Sequence, residues 1–359
     1  MRRRDLLRAL AIAPLAAGMP AARAAVAYPD VMPGRTIRFP DDEGSHPDYR
    51  TEWWYVTGWL RDGERDLGFQ VTFFRSRPEG AADNPSAFAL KQLLFAHAGL
   101  SDPAVGRLLH DERAARAGFG LAEAEVGRTA VWIGDWSLRQ EGGAYRARIP
   151  ARDFRLDLAF TPTQPPLLNG RDGYSRKGPD PLSASYYYSL PQLAVAGRVA
   201  RGEREAAVSG RAWFDHEWSS QIMDEDAAGW DWIGVNLADG GALMAFRMRN
   251  RDGGAHWAGG TLREAGGAAR AFGPGEIEFA PGRRWTSPRT GITYPVAWTV
   301  RAGDLVVTLA PLMDDQENDA RGSVGTVYWE GAVRALDTAG REIGRGYLEL
   351  TGYGARLRL

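Results

Sequence analysis

Short runs of alternating apolar and polar residues fill most of this chain, and few windows show helical spacing. Side chains alternate between faces along a strand, so such runs, separated by Gly, Asp and Pro, predict an all-β sandwich or barrel. Only residues 84–102 and 110–125 leave room for helical turns. The clearest predicted strands are "ERDLGFQVTFFRSR" (64–77), "YRARIPARDFRLDLAFTP" (145–162), "LVVTLAPL" (305–312) and "SVGTVYWEGAVRAL" (323–336).

Two pairs of segments repeat within the chain. Residues 53–77 and 230–249 each form an aromatic run, an Asp-Gly turn and a second run ending in Phe-Arg-x-Arg, which predicts two hairpins. Residues 197–215 align without a gap to residues 331–349, and this order of repeats indicates a duplicated domain. The matched positions are Gly197 with Gly331, Gly210-Arg211 with Gly344-Arg345, Trp213 with Tyr347 and Asp215 with Glu349.

The length of each copy suits an up-and-down barrel of about eight strands, which can enclose one small ligand. The segment "SSQIMDED" (219–226) breaks the strand pattern and marks the join. We therefore predict two tandem lipocalin-like (calycin) antiparallel β-barrels, an N-terminal one over residues 28–222 and a C-terminal one over residues 227–359.

Residues 1–24 have the features of a targeting segment. Arg3-Arg4 precedes a short apolar stretch that ends at Ala22-Arg23-Ala24, which is typical of a twin-arginine signal peptide. The stretch is too short for a permanent transmembrane helix, so we expect export to the periplasm or beyond, with no transmembrane anchor after cleavage.

Charge and cysteine content exclude several functions. The 359-residue chain has a net charge of −1, and loss of residues 1–24 removes five arginines and one aspartate and leaves −5. No basic block remains, so nucleic acid is not an expected partner. The absence of cysteine excludes disulfides, thiolate metal sites and a cysteine nucleophile.

Acids and tryptophans crowd into "GRAWFDHEWSSQ" (210–221) and "GWDWIGVNL" (229–237). Strand alternation places Asp215 and Glu217 on one face and His216 on the other, so His216 and Glu217 cannot share a metal and none is predicted. Burial among indole rings raises the pKa of a carboxyl and suits it to donate a proton, while indole faces stabilise a cation. The segment is thus competent to hydrate an apolar alkene. The alternative is that the acids bridge strands and the tryptophans plug a barrel end.

A second dense motif is "FPDDEGSHPDYRTEWWYVTG" (39–58). The loop before the strand contains Asp41, Asp42, Glu43 and His46. We interpret this loop as an ordinary solvated acid cluster in preference to a cation site. The candidate catalytic residues are Asp215 and His216, and the candidate ligand-binding residues are Glu52, Trp53, Trp54, Tyr55, Trp218, Trp230, Asp231 and Trp232. No cofactor is predicted.

These motifs together resemble the AttH/carotenoid 1,2-hydratase family of lipocalin-like proteins. The resemblance runs from Phe39 to Tyr353 and rests on "EWWYVTG", "GFQVTFFR", "AWFDHEWSS", "GWDWIGVNL", "ALMAFRMR" and "GRGYLELTGY". It implies two lipocalin-like domains and a hydrophobic ligand, isoprenoid or acyl. The family's Asp-His-x-Trp corresponds to Asp215, His216 and Trp218.

Three functions follow from the resemblance. The first is a carotenoid 1,2-hydratase-like hydro-lyase, with Asp215 as proton donor, His216 as an orienting group and tryptophans as the wall. The second is a non-catalytic lipid carrier that works with ABC-transporter components, and the third is a secreted hydrolase. The export signal sets this chain apart from carotenoid-pathway enzymes, which places carotene itself in doubt.

Overall fold

The computed structural model describes residues 27–79, 84–86 and 88–356, so the segment predicted to direct export lies outside the described residues. Within these described residues, twenty-five strands and one short 3₁₀ helix, Asp41–Glu43, are formed. The strands build two large antiparallel sheets, one from each half of the chain, and a small sheet of two strands. Segments 84–102 and 110–125 contain strands where the sequence left room for helical turns.

The first sheet has thirteen strands, and its main path runs β4-β3-β2-β1-β13-β12-β9-β8-β7-β6-β5. Strands β10 and β11 add to β12 off this path. The strands are β1 (Thr51–Asp62), β2 (Arg65–Ser76), β3 (Leu93–Ser101), β4 (Leu108–Arg116), β5 (Ala122–Ala124), β6 (Ala130–Ile133), β7 (Trp136–Glu141), β8 (Ala144–Pro150), β9 (Arg155–Thr161), β10 (Leu167–Leu168), β11 (Tyr174–Arg176), β12 (Ala184–Arg201) and β13 (Arg204–Gln221).

The second sheet has ten strands in the order β17-β16-β15-β14-β25-β24-β22-β21-β18, with β23 added to β24. Strands β19 and β20 pair separately. The strands are β14 (Ala227–Leu237), β15 (Ala242–Asn250), β16 (Ala255–Arg263), β17 (Ala269–Phe272), β18 (Ile277–Pro281), β19 (Arg284–Thr286), β20 (Thr293–Pro295), β21 (Trp298–Ala302), β22 (Leu305–Pro311), β23 (Glu317–Ala320), β24 (Thr326–Leu336) and β25 (Glu342–Leu350).

Each sheet curls until its ends meet. Strand β6 lies against β3 and β4 in the first sheet, and β18 lies against β15 and β16 in the second. A separate apolar core fills each barrel, with Trp54, Phe214 and Trp218 in the first and Trp298 and Trp329 in the second. The predicted class, two tandem lipocalin-like barrels, is confirmed.

Both Asp-Gly hairpins form where the sequence places them. β1 turns into β2 through Gly63, whose φ of +61° lies in the left-handed region that glycine adopts without strain. β14 turns into β15 through Gly240 in the same way. The hairpins then pair with equivalent strands, β1 with β13 and β14 with β25, so Leu60 lies opposite Gly210 as Leu237 lies opposite Gly344.

The two barrels pack against each other through the outer faces of these paired strands. A third apolar cluster joins Tyr55, Tyr187 and Trp213 of the first barrel to Trp232 and Tyr347 of the second. The described part of the chain contains no helix with the length and apolarity needed to cross a membrane.

Candidate functional site

A cavity of about 360 Å³ opens between the two barrels, not inside either of them. Residues of β1, β2, β3 and β13 line it from the first barrel, and residues of β14, β15, β24 and β25 line it from the second. Five of the sequence-predicted ligand-binding residues line it: Glu52, Trp53, Tyr55, Trp230 and Trp232. Asp215 and Glu217 also face it, as alternation along β13 predicts.

Asp215 is a fully buried carboxyl that receives three hydrogen bonds. Ser189 Oγ and the Trp213 indole donate to Oδ1 at 2.6 Å each, and Tyr187 Oη donates to Oδ2 at 2.8 Å. These donors favour the carboxylate, but burial outweighs them and raises the pKa of Asp215 to about 7. Asp215 therefore exchanges a proton near neutral pH, which a general acid requires.

A second, larger groove of about 670 Å³ lies on the other side of the barrel interface. Trp213 borders this groove while its indole donates to Asp215, so it stands between the two spaces. The buried acids Asp215, Glu217 and Glu330 border the smaller cavity, and we therefore take that cavity as the candidate site.

Glu217 is paired with the only buried lysine of the described residues. Lys177 Nζ lies 2.8 Å from Glu217 Oε1 and donates to Ser175 Oγ at 3.1 Å. The same ammonium lies 4.2 Å from the centre of the Phe246 ring and 4.8 Å from that of Tyr187. The pair is neutral as a unit and leaves Asp215 without a cation of its own.

Two further acids, Glu330 and Glu349, face the cavity from the second barrel, directly opposite each other on β24 and β25. Tyr55 Oη donates to Glu330 Oε2 at 3.1 Å and Asn318 Nδ2 donates to Oε1 at 3.0 Å. Burial raises the pKa of Glu330 to about 7. Burial, reinforced by the Glu330 carboxyl, raises the pKa of Glu349 well above its usual range.

A chain of hydrogen bonds continues from this acid pair along the cavity wall. Asn318 Nδ2 also donates to Tyr328 Oη at 3.0 Å, and Tyr328 Oη lies 2.6 Å from His97 Nδ1. His97 Nε2 lies 2.8 Å from Ser323 Oγ. Burial lowers the pKa of His97 to about 3, so this imidazole is neutral.

His216 lies on the opposite face of β13 from Asp215, inside the first barrel. Its Nε2 lies 2.9 Å from Glu52 Oε1, and its Nδ1 lies 3.1 Å from Tyr188 Oη. The sequence motif predicts Asp215 and His216 together as the catalytic residues, and the structure does not bring their side chains together. The reason is strand geometry, since adjacent residues of a strand point to opposite faces.

Glu52 holds His216 within a larger ion network. His46 Nδ1 lies 2.7 Å from Glu52 Oε1, His46 Nε2 lies 2.9 Å from Asp42 Oδ1, and Arg75 Nε donates to Glu52 Oε2 at 2.9 Å. Burial alone would raise the pKa of Glu52, but His46 and Arg75 outweigh it and hold that pKa well below its usual range. Burial opposes protonation of His46, yet Glu52 and Asp42 raise its pKa.

By distance, His46, Glu52 and His216 could hold a metal ion, because their ligand atoms all lie within 4.8 Å of one another. Both ring nitrogens of His46 already face carboxylates, and Glu52 already pairs with Arg75. A cation would have to displace this balanced network. The side chains are therefore better explained as an ion-pair network than as a metal centre. This network holds residues 42–52 against the barrel.

Three other sequence-predicted residues also lie away from the cavity. Trp54 stacks on His216 with ring centroids 4.9 Å apart, and Trp218 stacks on His46 with ring centroids 3.8 Å apart. Asp231 is bound by Arg247 at 2.6 Å and Arg249 at 3.2 Å. Trp54 and Trp218 belong to the core and network of the first barrel, and Asp231 is a buried ion-pair partner in β14.

Sequence reasoning assigned no role at the site to several residues that the fold brings to the cavity. The internal repeat could have indicated Glu349, which aligns with Asp215. The others come from distant strands and carry no local motif. They are Lys177, Glu330, Tyr328 and His97.

Two antiparallel barrels joined by an acid-bearing, aromatic cavity define this chain as a tandem lipocalin-like protein. The AttH-like family model matches residues 30–353, and the chain belongs to that family. A crystal structure from Nitrosomonas europaea, of a protein provisionally named AttH, is 51% identical, covers 90% of this chain and 99% of that one, and superposes with a TM-score of 0.85.

One solved structure of low sequence identity shares the fold, and one further protein matches part of the sequence. Kievitone hydratase from Nectria haematococca is 14% identical, with 92% of this chain and 96% of that one covered and a TM-score of 0.68. A ceramide-binding protein, svf1 of Aspergillus fumigatus, is 29% identical over 112 residues, which is 30% of this chain and 28% of that protein's length.

Proposed function

We propose that this protein binds an isoprenoid or acyl molecule in the cavity between its barrels and adds water to a carbon–carbon double bond of that ligand. The observation that supports this most is Asp215, a buried acid with a pKa of about 7 in an aromatic cavity. A carboxyl without a cationic partner costs stability, and such groups cluster where chemistry needs them.

The reaction balances with groups that line the cavity. Asp215 gives its proton to one alkene carbon, and the indole faces of Trp230 and Trp232 stabilise the carbocation left on the other. A water oxygen then bonds to that carbon, and its surplus proton passes to a carboxylate. Asp215 itself, or the Glu330–Glu349 pair opposite, can accept it. Tyr187 acts as a positioning residue, held between the Trp232 indole at 3.0 Å and Asp215 at 2.8 Å.

A non-catalytic lipid carrier is the second candidate, favoured by the local similarity to a ceramide-binding protein. The same cavity would then hold a lipid without changing it. The raised pKa of Asp215 favours the enzyme, because a carrier of a neutral lipid gains nothing from an acid that destabilises its own fold.

The hydrolase hypothesis has one candidate nucleophile at the cavity, Ser323 beside His97. The low pKa of His97, about 3, makes it a poor base at neutral pH. Backbone amides that would have to bind an oxyanion are also engaged, since Val324 and Gly325 both donate to the Ala320 carbonyl. Acyl transfer is therefore the least supported of the three.

Export by the twin-arginine route remains part of the proposal and rests on Arg3-Arg4 and the alanine-rich end of residues 1–24. Such export would place the site outside the cytoplasm, where an envelope lipid is within reach.

Asp215→Asn and Trp230→Ala test the proposal together, with Asp157→Asn on β9 as a control outside the cavity. Asp215→Asn should keep lipids that co-purify with the wild type but lower turnover of an isoprenoid alkene by about 10²–10⁴-fold. Trp230→Ala should weaken lipid retention, because it removes a large apolar contact. Equal turnover in wild type and Asp215→Asn would refute the assigned role.

A further inference from the structure

The carboxyl groups that line the cavity outnumber its cations. Of the charged residues facing it, Arg75 is paired with Glu52 at 2.9 Å and Lys177 with Glu217 at 2.8 Å. Asp215, Glu330 and Glu349 form no ion pair with any described residue. His97 is neutral and adds no charge. Three carboxyl groups therefore face an apolar space with nothing to neutralise them.

We propose that the polar end of the natural ligand carries a positive charge, so that the protein recognises an amphipathic amine. This inference rests on the proposed function in placing the ligand in the cavity between the barrels. The amine would lie beside Glu330 and Glu349 of the second barrel, and its apolar chain would lie against the aromatic wall on the side of Asp215.

The cavity already binds one ammonium group in this manner, and it belongs to the protein. Lys177 Nζ pairs with Glu217 while Phe246 and Tyr187 present their ring faces to it at 4.2 Å and 4.8 Å. Carboxylate on one side and aromatic faces on the other is the arrangement that selects alkylammonium ions. Glu330 also has an aromatic neighbour, since Tyr55 donates its hydroxyl to this carboxyl, and no cation of the described residues pairs with it.

A ligand carboxylate is disfavoured by the same surroundings. It would meet three acids, and both cations that line the cavity are already neutralised by partners. A neutral alcohol should bind with an affinity between those of the amine and the carboxylate, because protonated carboxyls can donate hydrogen bonds to its oxygen. The expected order of affinity is therefore amine, then alcohol, then carboxylic acid.

Ligand charge also sets the direction of proton movement. An ammonium group lowers the pKa of neighbouring carboxyls, so amine binding near pH 7 should release protons from Glu330 or Glu349.

The test compares three probes that share a dodecyl-length alkyl chain and differ in the polar end: dodecylamine, dodecanol and sodium dodecanoate. Quenching of tryptophan fluorescence reports affinity, since Trp53, Trp230 and Trp232 line the cavity. Calorimetry in buffers of different ionisation enthalpy counts the protons released. Wild type should bind the amine at least about tenfold more tightly than the alcohol, bind dodecanoate most weakly, and release protons with the amine alone.

The double variant Glu330→Gln, Glu349→Gln should lose most of the amine-over-alcohol preference, and its binding of dodecanol shows whether the cavity is still formed. The wild-type proton count does not depend on any variant folding. The inference is overturned if dodecanoate binds as tightly as dodecylamine, or if amine binding releases no protons. If none of the three probes binds, the proposed function fails and not merely the inferred charge of the ligand.

Discussion

Asp215 and Glu349 occupy equivalent positions in the two barrels and face the same cavity. Tyr55 of β1 lies opposite Asp215 of β13, and Trp232 of β14 lies opposite Glu349 of β25, so each acid has an aromatic cross-strand neighbour. The two strand pairs lie face to face at the interface, and the duplication therefore brings one acid from each copy into a single space. Both acids have a raised pKa because both are buried without a cation.

We predict that Asp215→Asn stabilises the folded protein at high pH. The pKa of Asp215 rises from 3.8 to about 7 on folding, so the native state binds the proton more tightly than the unfolded state. The stabilisation of the native state by this proton is present below about pH 4 and is lost as pH rises through 7. At pH 8 the buried charge costs on the order of 2–4 kcal/mol, which an amide does not incur. Urea unfolding at pH 5 and pH 8 measures this difference. A variant that is relatively less stable at pH 8 would show that the charge of Asp215 supports the fold.

Glu52→Gln should destabilise the protein strongly. The change leaves His46 and Arg75 without their shared carboxylate in a buried site, and breaking a buried ion pair in this way typically costs about 3–5 kcal/mol. The exposed Glu123→Gln on β5 is the matched control and should stay within about 0.5 kcal/mol of wild type. Similar denaturation midpoints for the two variants would contradict the network described for Glu52.

The order of apolar and polar residues was sufficient to predict the fold and to predict which residues of β13 share the face that borders the cavity. Alternation along β13 placed Asp215 and Glu217 together, and the repeat of residues 197–215 in 331–349 implied a second copy. Sequence alone could not place the cavity between the barrels, because this depends on how two outer faces pack. His216 and Trp218 adjoin Asp215 in the chain, but the pleat turns them toward Glu52 and His46.

Changing Arg3 and Arg4 to Lys should retain the protein in the cytoplasm with residues 1–24 uncleaved. The twin arginines are the feature by which that export route selects its substrates, and lysine keeps the charge while removing the signal. Cell fractionation with detection of the mature and precursor forms measures the outcome. If the doubly substituted chain still appears outside the cytoplasm at wild-type levels, another route exports it.

Deuterium incorporation tests the central claim, that Asp215 delivers a proton to a carbon–carbon double bond. Wild type and Asp215→Asn are incubated in D₂O with farnesol, and the recovered lipid is analysed by mass spectrometry. We expect wild type to yield a hydrated product with deuterium bound to carbon, because the Asp215 carboxyl exchanges with solvent, while Asp215→Asn binds farnesol and yields none. Deuterated product formed equally by both proteins would contradict the account, as would wild type that binds farnesol, geranylgeraniol and oleyl alcohol without labelling any of them.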